Sequence, residues 1–203
     1  NPWAQMIRYT KTGGEANLVA LRAARSSSKN YKVAFCGYHG WHDWYLSTNL
    51  RNSNNLNTHL LPNVNTVGIP KNFKNQSYGF KFNDIKEFKK IIQKNKLAAV
   101  IMEVSRLKET KKIFLKEIRK ITKKKNICLI YDECTSGFRE TYGGLYKKYG
   151  ITPDIVVYGK SIANGYPLCA IVGKKNIMKN LEKSFVSSTF WTDRVGYAAA
   201  IKT

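Results

Sequence analysis

Hydrophobic positions along the chain fall into two rhythms. Short apolar runs recur at 32–38 (KVAFCGY), 98–104 (AAVIMEV), 127–133 (ICLIYDE), 154–160 (DIVVYGK) and 168–173 (LCAIVG), each bounded by polar or glycine-containing stretches. Runs of that length, rich in β-branched residues, predict buried strands. Between them lie segments with helical spacing. Residues 15–27 (EANLVALRAARSS) follow the glycine pair Gly13-Gly14, 84–95 begins with Asp84 or Asn83 as N-cap, and 110–125 repeats Phe114, Ile118 and Ile121 on one face. Residues 41–77 are rich in Asn, Ser and Pro and predict a long excursion with one short strand at 65–69. Strands alternating with amphipathic helices predict an α/β domain around a mostly parallel sheet. No internal repeat or linker divides it.

Charge is the loudest compositional signal and changes this picture little. The net charge is +22, a balance that suggests a nucleic-acid partner. The lysines cluster on the polar faces of the predicted helices, as in TKKIFLKEIRKITKKKN, so a solvated surface accounts for them without one. A basic nucleic-acid-binding α/β module stands as the alternative. No stretch approaches the roughly 20 apolar residues of a membrane-spanning helix, and no signal-peptide pattern opens the chain. The chain begins almost directly in a patterned segment and closes on GYAAAIKT with no stop signal, so both ends read as truncated. Cys36, Cys128, Cys134 and Cys169 form no C-x-x-C pair, which fits a reducing, cytoplasmic setting. His39 and His42 stand at H-x-x-H spacing beside Asp43 without a further ligand, so no metal site is expected.

Polar residues at the strand ends carry the candidate chemistry. Tyr38-His39 follow the first run, Glu103 ends the second, Asp132-Glu133 the third and Lys160 the fourth. Ligands of open α/β sheets bind outside the carboxyl ends of the strands. Gly13-Gly14 before a helix leaves amides that suit a phosphate, or makes an ordinary turn. Asp132, at the end of a buried strand, needs a cationic partner, with Arg139 or a role capping the next loop as the plain alternatives. Lys160, ending a buried strand before a shaped turn, reads as an amine placed for its reactivity.

TGGEAN, YHG, DECTSGFR, TPDIVVYGKSIANGYP and STFW occur in that order. Together they resemble the class III aminotransferases, which depend on pyridoxal 5'-phosphate, and especially the glutamate-1-semialdehyde 2,1-aminomutase branch. The resemblance runs from about Tyr9 to the end and is thinnest between Trp41 and Phe82. It implies a large cofactor-binding domain of the aspartate aminotransferase type (fold type I), a mostly parallel sheet sandwiched by helices. Residues 1–203 would be a partial copy lacking most of the small domain. Lys160 would form the Schiff base with the cofactor and then, buried and deprotonated, carry the 1,3-proton shift at the substrate Cα. Asp132 would pair with the ring nitrogen. Tyr38 and Cys134 would flank the ring, with His39 beside them. Gly13 and Gly14 would bind the phosphate, although a hydroxyl residue is commoner at the second position. Thr189 would reach the phosphate of the other subunit in a homodimer with shared active sites. WTDR, after Phe190, departs from the usual run. Glu103 matches a glutamate near the site. The implied activity is amino transfer to or within a small carbonyl compound from a small-molecule amino donor, with a cofactor-binding domain without turnover as a further alternative.

Overall fold

The strands of the sheet are apolar on both faces, and that decides the layering. The computed structural model describes residues 1–106 and 109–203. In chain order the elements are β1 (Met6–Thr10), α1 (Gly13–Ser26), β2 (Lys32–Cys36), α2 (Asp43–Leu46), β3 (Ser77–Gly79), α3 (Ile85–Lys94), β4 (Leu97–Glu103), α4 (Lys112–Lys124), β5 (Cys128–Glu133), α5 (Tyr146–Tyr149), β6 (Ile155–Tyr158), β7 (Cys169–Gly173), α6 (Lys175–Met178) and α7 (Arg194–Lys202). The sheet order is β1-β7-β6-β5-β4-β2-β3. Five strands, β3, β2, β4, β5 and β6, pair in parallel; β7 runs against both its neighbours, β6 and β1.

Side chains alternate across a strand with period two. Ala99 and Ile101 of β4, Ile130 of β5 and Val157 of β6 therefore pack with Ala16, Val19, Ala20 and Ala23 of α1. Val100, Met102, Leu129 and Val156 point the other way, onto Phe88 and Ile92 of α3 and Phe114, Leu115 and Ile118 of α4. Every residue of β4, β5 and β6 is buried. A fully buried aliphatic or aromatic side chain contributes about 1.5–3 kcal/mol, so these two layers hold the strand ends rigidly.

Helix starts are set by local chemistry. Thr12 caps α1 through the Glu15 amide, and the Glu15 carboxylate returns to the Thr12 amide at 3.0 Å. Asp84 caps α3 by accepting from the Glu87 amide at 2.9 Å. In α4 the lysines stay outside while Phe114, Leu115, Ile118 and Thr122 are buried; Ile121 is only partly covered.

Three expectations need correction. No strand forms at 65–69, where Gly68 has φ +83 and Pro70 opens a turn. The short strand is β3, added beside β2 at Ser77–Gly79. The fourth run stops at Tyr158, so Lys160 opens a 3-10 turn, Lys160–Ala163, in the left-handed region at φ +43. The first residues also supply a strand, β1, that the reading of the sequence did not assign.

Candidate active site

The parallel strands and β1 deliver their carboxyl ends to one edge of the sheet, and a cavity of about 480 Å³ opens there. That volume lies within the range of small-molecule sites. It is lined by residues from four neighbourhoods: the start of α1 (Thr12, Gly13, Gly14, Asn17), the turn after β2 (Tyr38 to His42), the end of β5 (Asp132, Cys134, Thr135), and Lys160 beyond β6.

Asp132 is 4% exposed on β5. Its Oδ2 accepts from Asn17 Nδ2 at 2.8 Å and faces His39 Nδ1 at 2.8 Å, while Oδ1 accepts from the Cys134 amide at 3.1 Å. Burial pushes its carboxyl up, and the His39, Asn17 and Cys134 hydrogen bonds together outweigh that and hold it below the usual carboxylate range. The cationic partner considered from sequence, Arg139, is elsewhere: its Nε donates to the Thr135 carbonyl at 2.6 Å. His39 takes that place, with its other nitrogen 3.2 Å from the Cys36 carbonyl. Both ring nitrogens thus face oxygen atoms. Asp132 also caps its own loop through Cys134, so that plain alternative holds in part.

Tyr38 lines the cavity. Its amide donates to Glu103 Oε2 at 2.9 Å, and the Arg106 guanidinium lies 5.0 Å from its ring centroid. Glu103 itself is buried behind this turn and ion-pairs with Arg106 at 3.1 Å. A Cβ on Gly37, whose φ is +104, would come within 2.5 Å of Glu103 Oε2, so only glycine lets the carboxylate brace the turn. Glu103 is not among the cavity-lining residues. Cys134 is: its thiol is pushed up first by the Cys169 thiol and then by burial, which leaves a neutral, soft wall. Gly13 and Gly14 are the first two residues of α1.

Lys160 departs from the expectation of a buried amine. It is exposed at the rim, with Nζ 3.3 Å from Thr135 Oγ1. Thr189 is exposed in a 3-10 turn, Thr189–Thr192, and does not line this cavity. Among the described residues, no group of His, Cys, Asp or Glu side chains forms a metal site, and no helix is long and apolar enough to cross a membrane.

Reading the sequence missed Asn17 and Thr135, and weighed His42 only as a metal ligand. Asn17 had a visible signal: it lies three residues after Gly14, one helical turn on, and so returns to the same edge. Among the described residues, its Oδ1 and the His42 Nδ1 are buried without a hydrogen-bond partner, two unsatisfied polar atoms on residues that line the cavity.

Comparison with known proteins points one way. The aminotransferase class-III family matches residues 2–203. The chain is 36% identical to a 3-aminobutyryl-CoA aminotransferase of Cloacimonas acidaminovorans, across 100% of this chain and 47% of that protein. It is 38% identical to a glutamate-1-semialdehyde 2,1-aminomutase of Nitrosopumilus maritimus, across 98% of this chain and 48% of that one. It is also similar to a solved transaminase with PLP bound, with a TM-score of 0.85 at 26% identity, covering 99% of this chain and 49% of the other. The architecture is thus the fold type I arrangement that the resemblance implied. The chain spans about half the length of the curated relatives it matches.

Proposed function

The chain belongs to the class-III aminotransferases, and on that footing we propose that its cavity holds pyridoxal 5'-phosphate for moving an amino group to or within a small carbonyl compound. One observation carries the proposal. Asp132, Lys160 and the Gly13-Gly14 helix start line a single cavity. Those are the three kinds of group that a pyridinium nitrogen, an aldehyde and a phosphate each require. The unpartnered atoms on Asn17 and His42 support the fit.

When bound, the cofactor supplies an electron sink for negative charge at the substrate's α-carbon. The protein supplies the rest. Asp132 is an anion whose position is fixed by His39, Asn17 and the Cys134 amide, and it favours a protonated ring nitrogen. Lys160 would hold the cofactor's aldehyde through Nζ. Its amine, when free, would take a proton at Nζ and return it, which arginine could not do because it stays protonated. Thr135 Oγ1, 3.3 Å from Nζ, holds that amine at the rim. Tyr38 and Cys134, which line the cavity, would hold the ring between them, and His39 backs Asp132. Glu103 acts indirectly by bracing the Tyr38 turn.

In this reading, residues 1–203 are the cofactor-holding domain, and the enzyme works as a homodimer in the cytoplasm. Phe185, Phe190 and Val195, close to Thr189 in the chain, are all exposed, which supports an interface that carries Thr189 to the partner's phosphate. All four cysteines are buried and unpaired, which supports a reducing compartment. Small amino donors and carbonyl acceptors are the substrates.

The test is borohydride reduction of the protein mixed with pyridoxal phosphate, followed by peptide mass mapping. The expected result is one cofactor-sized increment on the peptide containing Lys160, absent in Lys160→Ala. An increment spread over surface lysines, unchanged in Lys160→Ala, would sink the assignment.

A further inference from the structure

His42 fits against the start of α1 in a way the rest of the site does not explain. Its Cε1 lies 2.5 Å, and its Nδ1 2.8 Å, from where a Cβ on residue 14 would sit. The imidazole therefore fills the space that any side chain at position 14 would occupy. Two contacts fix it there. Its carbonyl accepts from the Tyr45 and Leu46 amides at 2.9 and 3.2 Å, and its ring stacks on Trp41 with centroids 4.7 Å apart at 15°. The ring lines the cavity, and Nδ1 is buried without a hydrogen-bond partner.

The donors at the start of α1 do not suffice for a phosphate. The capping box already uses the Thr12 and Glu15 amides, and the Lys11 amide also donates to Glu15 Oε2, at 3.1 Å. The Gly13 and Gly14 amides remain, two donors for the three terminal oxygens of a phosphate monoester. The Glu15 carboxylate also places negative charge beside that anion. Three cavity-lining side chains can carry positive charge: His39, Lys160 and His42. His39 is committed to Asp132, and Lys160 is committed to the aldehyde in the reading above.

We propose that His42 is the side-chain ligand that the subunit itself supplies to its cofactor's phosphate, completing with the Gly13 and Gly14 amides a cradle to which Thr189 of the partner subunit adds from across the interface. Gly14 and His42 form one device: the absent side chain at 14 is what admits the imidazole. The inference rests on pyridoxal phosphate occupying this cavity, and the experiment separates the two.

Affinity is measured by absorbance titration with pyridoxal 5'-phosphate and, in parallel, with phosphate-free pyridoxal. His42→Phe keeps the ring and its stack on Trp41 while removing both nitrogens. It is expected to weaken pyridoxal phosphate about 10- to 100-fold, the worth of a hydrogen bond to a charged group, and to leave pyridoxal within about twofold, because no phosphate contact is lost. His42→Gln, which keeps an N–H donor, falls between. Gly14→Ser combined with His42→Ala places a hydroxyl in the vacated space and restores most of the affinity for the phosphorylated ligand. Thermal melts identify any variant that is not folded, and the remaining variants decide. An equal loss for both ligands, or no loss for either, overturns the proposal. A wild-type protein that binds both ligands equally well also overturns it, while leaving attachment at Lys160 standing. A wild-type protein that binds neither overturns the cofactor reading and this inference with it.

Discussion

His59 shows how a single buried side chain sets the protein's tolerance to acid. It is 5% exposed, and its Nδ1 accepts from the Gly37 amide at 3.2 Å, so the ring is held neutral behind the Tyr38 turn. Burial lowers its pKa to about 4. As pH falls through the ordinary imidazole range, the unfolded chain takes up this proton before the folded one does. Stability is therefore lost between about pH 6.5 and pH 4, by up to about 3 kcal/mol. Glu133 works in the opposite sense: burial raises its carboxyl, so the folded state keeps that proton longer and loses stability as pH rises above 4.5. His59→Asn offers Oδ1 in place of Nδ1 without titrating, and urea unfolding at a series of pH values should show a flatter profile than wild type across that window. An unchanged profile would show that His59 is not the group responsible. Asp154 is a second case. It accepts from Arg119, Lys174 and the Leu129 amide, which outweigh its burial and hold its carboxyl low, so its contribution disappears only as pH falls below the normal aspartate range. Asp154→Leu strands those three donors. Because Arg119 and Lys174 both reach water, the expected cost is about 2 kcal/mol by denaturant melting, not the larger loss of a fully buried pair.

Elements were legible where their pattern was long or fully apolar, and less so at the edges. β4, β5 and β6 are buried runs that could hardly be anything else, and the amphipathic faces of α1, α3 and α4 were plain. β1 escaped notice because an edge strand needs little hydrophobicity: Ile7 is 42% exposed and Arg8 stands within it. β3 is three residues long and exists because the backbone from Gln76 to Phe80 pairs with β2, a tertiary fact without a local signal. Residue types at strand ends brought Tyr38, His39, Asp132 and Lys160 to one cavity, and the family resemblance added Cys134. Their partners were harder to see, since nothing in the order of residues says that Asp132 turns to His39 and Asn17 instead of Arg139. The cap of α1 can be tested separately. Thr12→Val removes the hydroxyl that receives the Glu15 amide and should cost about 1 kcal/mol in urea unfolding without cofactor. A change much smaller than that would mean that packing of α1 on the sheet, and not its cap, fixes the helix start.

Across the whole molecule, 35 basic residues face 13 acidic ones. Like charges crowd the outer faces of α3 and α4, and compaction brings them closer. Raising salt from about 0.01 M to about 0.15 M shortens the Debye length from about 30 Å to about 8 Å, so the melting temperature should rise over that interval. A fall would mean that ion pairs such as Arg119–Asp154 outweigh the general repulsion. The reversed strand has a consequence of another kind. β1 meets the sheet only through β7, with Thr10 opposite Cys169 and Met6 opposite Gly173. A ribosome therefore releases β1 long before its docking partner. The segment that leads into α1 waits, unzipped, while the residues between Thr10 and Cys169 are made. A nascent chain stalled before Cys169 therefore leaves β1 without its partner strand.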